Sequence, residues 1–226
     1  MRALTLLAAM ACGAPDASPW RDAGHGMGTR GGRVLAGDLR VRILWVGRWD
    51  LDRAQAVTAA VRDASGSPYL RVLRTYPGPD GEAPSGRVSI EAEEHDAALG
   101  PRDVLLRVSG RDPGAVVAFL YAARSEAGLG GGAAGYHGNH RGVPYLVAAD
   151  WPEQPIGWLV SVLLHELAEA ATSPDLDGWT DADGLEVADK CWGGRAPVGV
   201  VRLGGASYLL PQLWLNADGG RCTLGE

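Results

Sequence analysis

Hydrophobic positions along this chain follow two rhythms. Residues 39–47 (LRVRILWVG) set arginine against apolar side chains with a period near two, which predicts a strand. Residues 51–63 (LDRAQAVTAAVRD) bring back Ala56, Val57, Ala60 and Val61 at helical spacing, with Asp50 placed to cap the first turn. Strands are expected near 69–75 and 86–92, separated by the turn-rich YPGPDGEAPSG. Pro101 opens a helix near 101–109, and AVVAFLY at 115–121 is a continuous apolar strand. GLGGGAAG at 128–135 is expected to be a flexible loop, and PYLVAA at 144–149 a strand. Strands and turns complete the chain after 197.

The longest apolar segment, PIGWLVSVLLHELAEAAT at 155–172, predicts a buried or half-buried helix bracketed by Pro155 and Pro174. An unpaired buried charge costs several kcal/mol or more, yet this helix carries His165, Glu166 and Glu169. Residues four apart share a helix face, so His165 and Glu169 lie one above the other with Glu166 beside them. That is the HExxH zinc-protease arrangement with Glu169 in place of the second histidine, and carboxylate oxygen is an acceptable zinc ligand. A buried hydrogen-bond cluster, or the acidic edge of a surface helix, would use the same residues. A cation favours the metal reading, because it neutralises two carboxylates that are otherwise costly to bury.

The next segment, SPDLDGWTDADGLEVADKC at 173–191, offers Asp175, Asp177, Asp181, Asp183, Glu186 and Asp189 as third ligands or as acceptors behind them. Asp175 has the offset of the third ligand in HExxHxxGxxD proteases. Glu186 and Asp189 lie in a more apolar stretch that favours an inward orientation. Neither Gly178 nor Gly184 gives the register of a calcium-binding EF-hand loop. In GYHGNH, His137 and His140 could bind metal from a loop, or simply hydrogen-bond the backbone of a turn. Residues 136–148, with Tyr136 and His137, are the candidate substrate wall. Trp179, in the acidic stretch, is the tryptophan best placed by sequence to line a cleft.

Composition narrows the class. A chain of 226 residues with a 46% apolar fraction can bury the core of one domain. The net charge of −6, with no gathering of arginines, argues against a nucleic-acid or anionic-membrane partner. Arg2 followed by ALTLLAAMA and Cys12 reads as a secretory signal over 1–12, with a lipoprotein cleavage site as one version of it. Lipidation would then fall on Cys12, and residues 13–33 would form a flexible tether ahead of a domain at 34–226. No other segment approaches the roughly 18 apolar residues that a membrane helix needs. Export leaves Cys191 and Cys222 as an even pair in an oxidising compartment. A disulfide between them is the favoured reading, with free thiols or a metal-binding Cys191 as alternatives.

Three stretches carry a family resemblance: VLAGDLRVRILWVGRWD at 34–50, AGYHGNHRGVPYLVAADW at 134–151, and ASYLLPQLWLNADGGRCTL at 206–224. They resemble the EXORDIUM, or phosphate-induced protein 1, family. HELAEAATSPDLDGWTDADGLEVADKC resembles its microbial branch, and the likeness runs from about residue 34 to the end. GLGGGAAG stands where many members place a cysteine pair, so the resemblance implies one disulfide fewer in that loop. Plant members are extracellular and associated with cell-wall growth, without an enzymatic activity to carry over.

The order of elements, mainly strands with the His165 helix behind the last of them, is also that of zincin catalytic domains, an analogy of fold. The expectation is therefore an exported, monomeric α+β protein: one zincin-like domain whose mixed β-sheet supports a metal-bearing active-site helix. The expected activity is metal-dependent hydrolysis of a peptide or cell-surface substrate, with zinc or another divalent metal. His165 and Glu169 would bind it with Glu186, Asp189 or Asp175, and Glu166 would be the general base. The alternative is a non-catalytic extracellular protein that binds wall glycan or a surface partner, with a structural metal or none.

Overall fold

The computed structural model describes residues 26–129, 133–191 and 198–225. The expected leader, Cys12 and residues 13–25 of the expected tether lie outside the described residues, as do 130–132 of the glycine run. In chain order the elements begin with β1 (Gly28–Thr29), β2 (Gly37–Val46), α1 (Leu51–Ala64), α2 (Pro68–Arg71) and a 3-10 turn at Val72–Thr75. Next come β3 (Pro84–Asp96), α3 (Val104–Val108), β4 (Ala115–Tyr121), β5 (Gly135–His140), β6 (Val143–Ala149) and α4 (Gly157–Thr172). The last are β7 (Trp179–Thr180), β8 (Val198–Leu203), β9 (Ala206–Pro211), β10 (Leu213–Leu215) and β11 (Arg221–Thr223). The fold is a mixed α+β arrangement on a mixed sheet.

Five strands form that sheet in the order β3-β2-β4-β6-β5, parallel throughout except for β5, which runs antiparallel to β6 at one edge. Every residue of β4 and β6 is buried, so their apolar runs lack alternation because both faces of the sheet are covered. Ile43, Trp45, Val116, Ala118, Leu120, Leu146 and Ala148 face α1 and α4 in the larger core. Leu44, Val46, Val117, Phe119, Tyr121 and Val147 face the other way, onto Val104 and Val108 of α3. Edge strand β3 alternates instead, as a half-covered strand should.

The structure corrects three expectations. The segment near 69–75 is helical: Pro68 opens α2, the Ser67 side chain accepts from Leu70 N, and Tyr69, Leu70, Val72 and Leu73 are all buried. Those four apolar positions recur at helical spacing, which a period of two misreads. The expected tether ends sooner than residue 33. Gly28 and Thr29 pair with Thr180 and Trp179, Met27 is buried, and Gly32 N donates to Asp177 O at 3.2 Å. GYHGNH is a strand, fixed residue by residue against β6 from Gly135↔Ala148 to His140↔Val143.

Candidate metal centre

Three elements converge beneath the α4 face of the sheet. Along α4, Glu166 and Glu169 are buried with the apolar stripe, and the His165 side chain is only 13% exposed. β5 supplies His137. Side chains alternate across a strand, so Gly135, His137 and Asn139 face α4 while Tyr136 and His140 face away. Tyr136 accordingly packs edge-on against Tyr145 with ring centroids 6.1 Å apart, and His140 Nε2 lies 3.1 Å from Ser109 Oγ. His137 and His140 therefore cannot share an ion. Gly135 permits the close approach: a Cβ there would stand 2.7 Å from Val162 Cγ1 and 3.1 Å from Glu166 Oε1.

The third element is the turn at 185–191, which carries Glu186 and Asp189. Lys190 N donates to Glu186 O at 2.9 Å, and Trp214 N of β10 donates to Val187 O at 2.9 Å. The buried Lys190 ammonium pairs with Asp181 Oδ2 at 3.0 Å and sits over the Trp214 ring. A disulfide joins Cys191 to Cys222 on β11, which removes Cys191 from the candidate ligands. Anchored on both sides, the turn presents Glu186 and Asp189 to the helix.

Six side chains thus meet. His165 Nε2 lies 3.3 Å from Glu169 Oε1 and 3.3 Å from Asp189 Oδ1. His137 Nδ1 lies 3.3 Å from Glu166 Oε2 and 3.4 Å from Glu169 Oε2, while its Nε2 lies 3.3 Å from Glu186 Oε2. Their side-chain exposures run from 1% at Glu169 to 13% at His165, so water contributes little solvation. Even so, His137 Nε2, Glu169 Oε1, Glu186 Oε1 and Asp189 Oδ2 are buried without a hydrogen-bond partner. Native interiors rarely leave such atoms unsatisfied, and here four do so together.

The ionisation equilibria show the same tension. Burial alone would lower both imidazole pKa values, but the surrounding carboxylates outweigh it and raise them well above the ordinary histidine value. Burial pushes Asp189 up to about 7, with Glu169 adding to the rise and His165 opposing it. Burial also raises Glu186, against the pull of His137. At Glu169 the two histidines overcome burial and hold its carboxyl well below the usual range.

These directions give a pH prediction for metal-stripped protein. A raised pKa contributes stability that is complete below the unfolded value and gone once pH has passed the folded one. Asp189, Glu186 and both histidines all act this way, with Asp189 spent by about pH 7. Glu169 has the opposite sign, and its contribution is lost only as pH falls below the carboxylate range. The stripped protein should therefore melt at lower temperature as pH rises from weakly acidic to neutral, followed by circular dichroism. A midpoint that climbs over that interval contradicts the assignment.

Other candidate residues lie elsewhere. Asp175 receives Arg33 Nε at 2.7 Å, Arg33 Nη2 at 3.1 Å and Asn139 Nδ2 at 2.7 Å, outside the six-residue cluster. The spacing argument for it fails because those contacts with Arg33 and Asn139 hold its carboxylate away from the α4 residues. Trp179 donates from Nε1 to Pro77 O at 3.0 Å and packs edge-on against Tyr76, so it serves the β1–β7 corner. Asp181 accepts from the backbone of Asp183 and Leu185 as well as from Lys190. Sequence reasoning placed His137 in a substrate wall, or on a metal shared with His140, and did not join it to the α4 residues. The parity of β5, with GYHGNH read as a strand, is the signal that reveals it.

Comparison with family models, with curated proteins and with solved structures finds no match to this chain.

Proposed function

We infer that the protein is a metal-dependent hydrolase, most simply a zinc peptidase, in which His165, Glu169 and Asp189 hold the ion. One observation carries this reading: His165, Glu169 and Asp189 bring their ligand atoms within 4.8 Å of one another in a nearly dry volume, where Glu169 Oε1 and Asp189 Oδ2 are buried without a hydrogen-bond partner. Ligand atoms about 2.0–2.1 Å from a tetrahedral zinc stand ~3.3–3.4 Å from one another. His165 lies 3.3 Å from both carboxylates, so two edges of the set match that shell, and the third lies within 4.8 Å. The mixed sheet, with its antiparallel edge strand ahead of α4, supports a zincin-like reading of the fold.

Zinc bound there would supply Lewis acidity, polarising a carbonyl and acidifying water. The chain's own contribution is to orient and to move protons. Glu166 follows the ligand His165 on the helix, as the HExxH glutamate does, and its carboxylate is the general base in this reading. β5 is the candidate strand for an extended peptide, with His137 on its inner face. The disulfide fits an oxidising compartment and supports export.

A second reading has one observation in its favour. Side-chain exposures of 13% or less describe a closed centre, and closed centres are the structural ones. In that case the ion braces a non-catalytic extracellular protein of the EXORDIUM type that binds wall glycan or a surface partner.

Glu166→Gln separates the two, because it keeps size and hydrogen bonding but cannot take a proton. On the hydrolase reading it retains fold and metal and loses a factor of ~100 or more in peptide or ester cleavage. The measurement is a broad peptide-library digest of wild type and variant at matched metal content. Equal cleavage by both removes Glu166 from the mechanism, and cleavage by neither favours the binding protein.

A further inference from the structure

The cluster has more ligand capacity than one ion uses. Two sets of three keep their ligand atoms within 4.8 Å of one another: His165, Glu169 and Asp189, and His137, Glu169 and Glu186. Glu169 belongs to both, with Oε1 toward His165 and Oε2 toward His137. Building on the reading of the first set as a metal site, we propose that His137, Glu169 and Glu186 bind a second divalent cation. Glu169 then bridges the two ions, one on each carboxylate oxygen.

Charge is the first argument. Glu166, Glu169, Glu186 and Asp189 place four carboxylates around two imidazoles in a nearly dry volume. One divalent ion, even with His137 protonated, leaves one negative charge uncompensated, whereas two ions leave none with both imidazoles neutral. Uncompensated buried charge is strongly disfavoured, so the doubly occupied, neutral centre is the favoured one.

The His137 ring is the second, independent argument. Its two nitrogens face carboxylates at opposite edges, Glu166 and Glu169 at Nδ1 and Glu186 at Nε2. A neutral imidazole has one N–H, so only a second proton or a cation keeps its other nitrogen from meeting an oxygen lone pair to lone pair. The side chain is 7% exposed, and Nε2 and Glu186 Oε1 are both buried without a hydrogen-bond partner. A cation turns that repulsion into coordination. The 3.3 Å contact from His137 Nε2 to Glu186 Oε2 again matches the edge of a tetrahedral zinc shell, about 3.3–3.4 Å.

Paired ions suit hydrolysis of an amide or ester in which one cation serves the attacking water and the other the oxygen that gains charge. This assigns His137 and Glu186 to the metal centre, where the mononuclear reading leaves them idle.

Zinc stoichiometry tests the proposal without reference to activity. Full-length protein is stripped with dipicolinate, reconstituted with zinc chloride, gel-filtered and analysed for metal by plasma mass spectrometry. Wild type should retain two equivalents. His137→Gln and, separately, Glu186→Gln should each fall from two to one, with circular dichroism confirming the fold. Saturation of wild type at one equivalent overturns the second site and leaves the first standing. Zero equivalents overturns both. Two equivalents that survive in both variants place the second ion elsewhere and overturn the assignment.

Discussion

His165→Ala should strip the ion held by His165, Glu169 and Asp189, the largest single effect expected in this protein. The histidine is the one neutral donor in that set, and it is the atom to which both carboxylates converge at 3.3 Å. A ligand that binds only the folded state stabilises it by mass action, ~4 kcal/mol at a thousandfold excess over its dissociation constant. For a chain of this size that corresponds to about 8–16 °C in melting temperature. The variant should therefore lack this ion by elemental analysis and melt near the temperature of chelator-treated wild type, without responding to added zinc at that position. Wild-type protein that carries no metal and cannot be reconstituted would sink the centre and the hydrolase together.

The second large effect concerns the cross-link. Cys191 and Cys222 are 31 residues apart in sequence with Cα atoms 5.7 Å apart. Closing a loop of that length restricts the unfolded chain enough to stabilise the fold by ~3 to 4 kcal/mol on the chain-entropy estimate. Cys222→Ser should lower the denaturation midpoint accordingly. It should also weaken metal retention, because Asp189 lies two residues before Cys191 on the turn that the bond anchors. Mass spectrometry of non-reduced peptides should show the cross-link in exported material, and two alkylatable thiols there would refute it. A stability loss with unchanged metal affinity would show that Lys190, Asp181 and the backbone bond to Trp214 hold the turn unaided.

Much of the site is legible in the amino-acid sequence. An apolar helix carrying His165, Glu166 and Glu169 breaks the rule against buried charge, so the sequence alone signals that a partner must exist. The i, i+4 spacing of His165 and Glu169 is a property of the helix itself and needs no tertiary information. Glu186 and Asp189 could be singled out by their apolar surroundings, although not separated from Asp175 as ligands. Strand β2 and helix α1 follow from periodicity, β4 and β6 from short continuous apolar runs, and α4 from the length of its apolar segment.

Short segments were another matter. Residues 68–75 carry too few turns for periodicity to separate helix from strand, and burial of Tyr69, Leu70, Val72 and Leu73 settled them as helical. GYHGNH has the glycines of a loop, and only its pairing with β6 makes it a strand and gives its side chains definite faces. That parity decides that His137 enters the centre while His140 leaves for the opposite side of the sheet. Asp175 was excluded for a related reason, since Arg33 and Asn139 claim its carboxylate through contacts far apart along the chain.

The sequence by itself determined the elements whose signal is local: the amphipathic runs, the charged helix face, and the cysteine pair available in an oxidising compartment. The tertiary structure decided which of many acidic residues meet, because that depends on strand parity, on where α4 ends, and on the disulfide that draws the 185–191 turn to β11. Local spacing can place two ligands on one face, but it cannot bring β5, α4 and that turn to a common point. Long-range packing does, and it buries six ionisable side chains together, whose carboxylates a cation neutralises in the proposed reading.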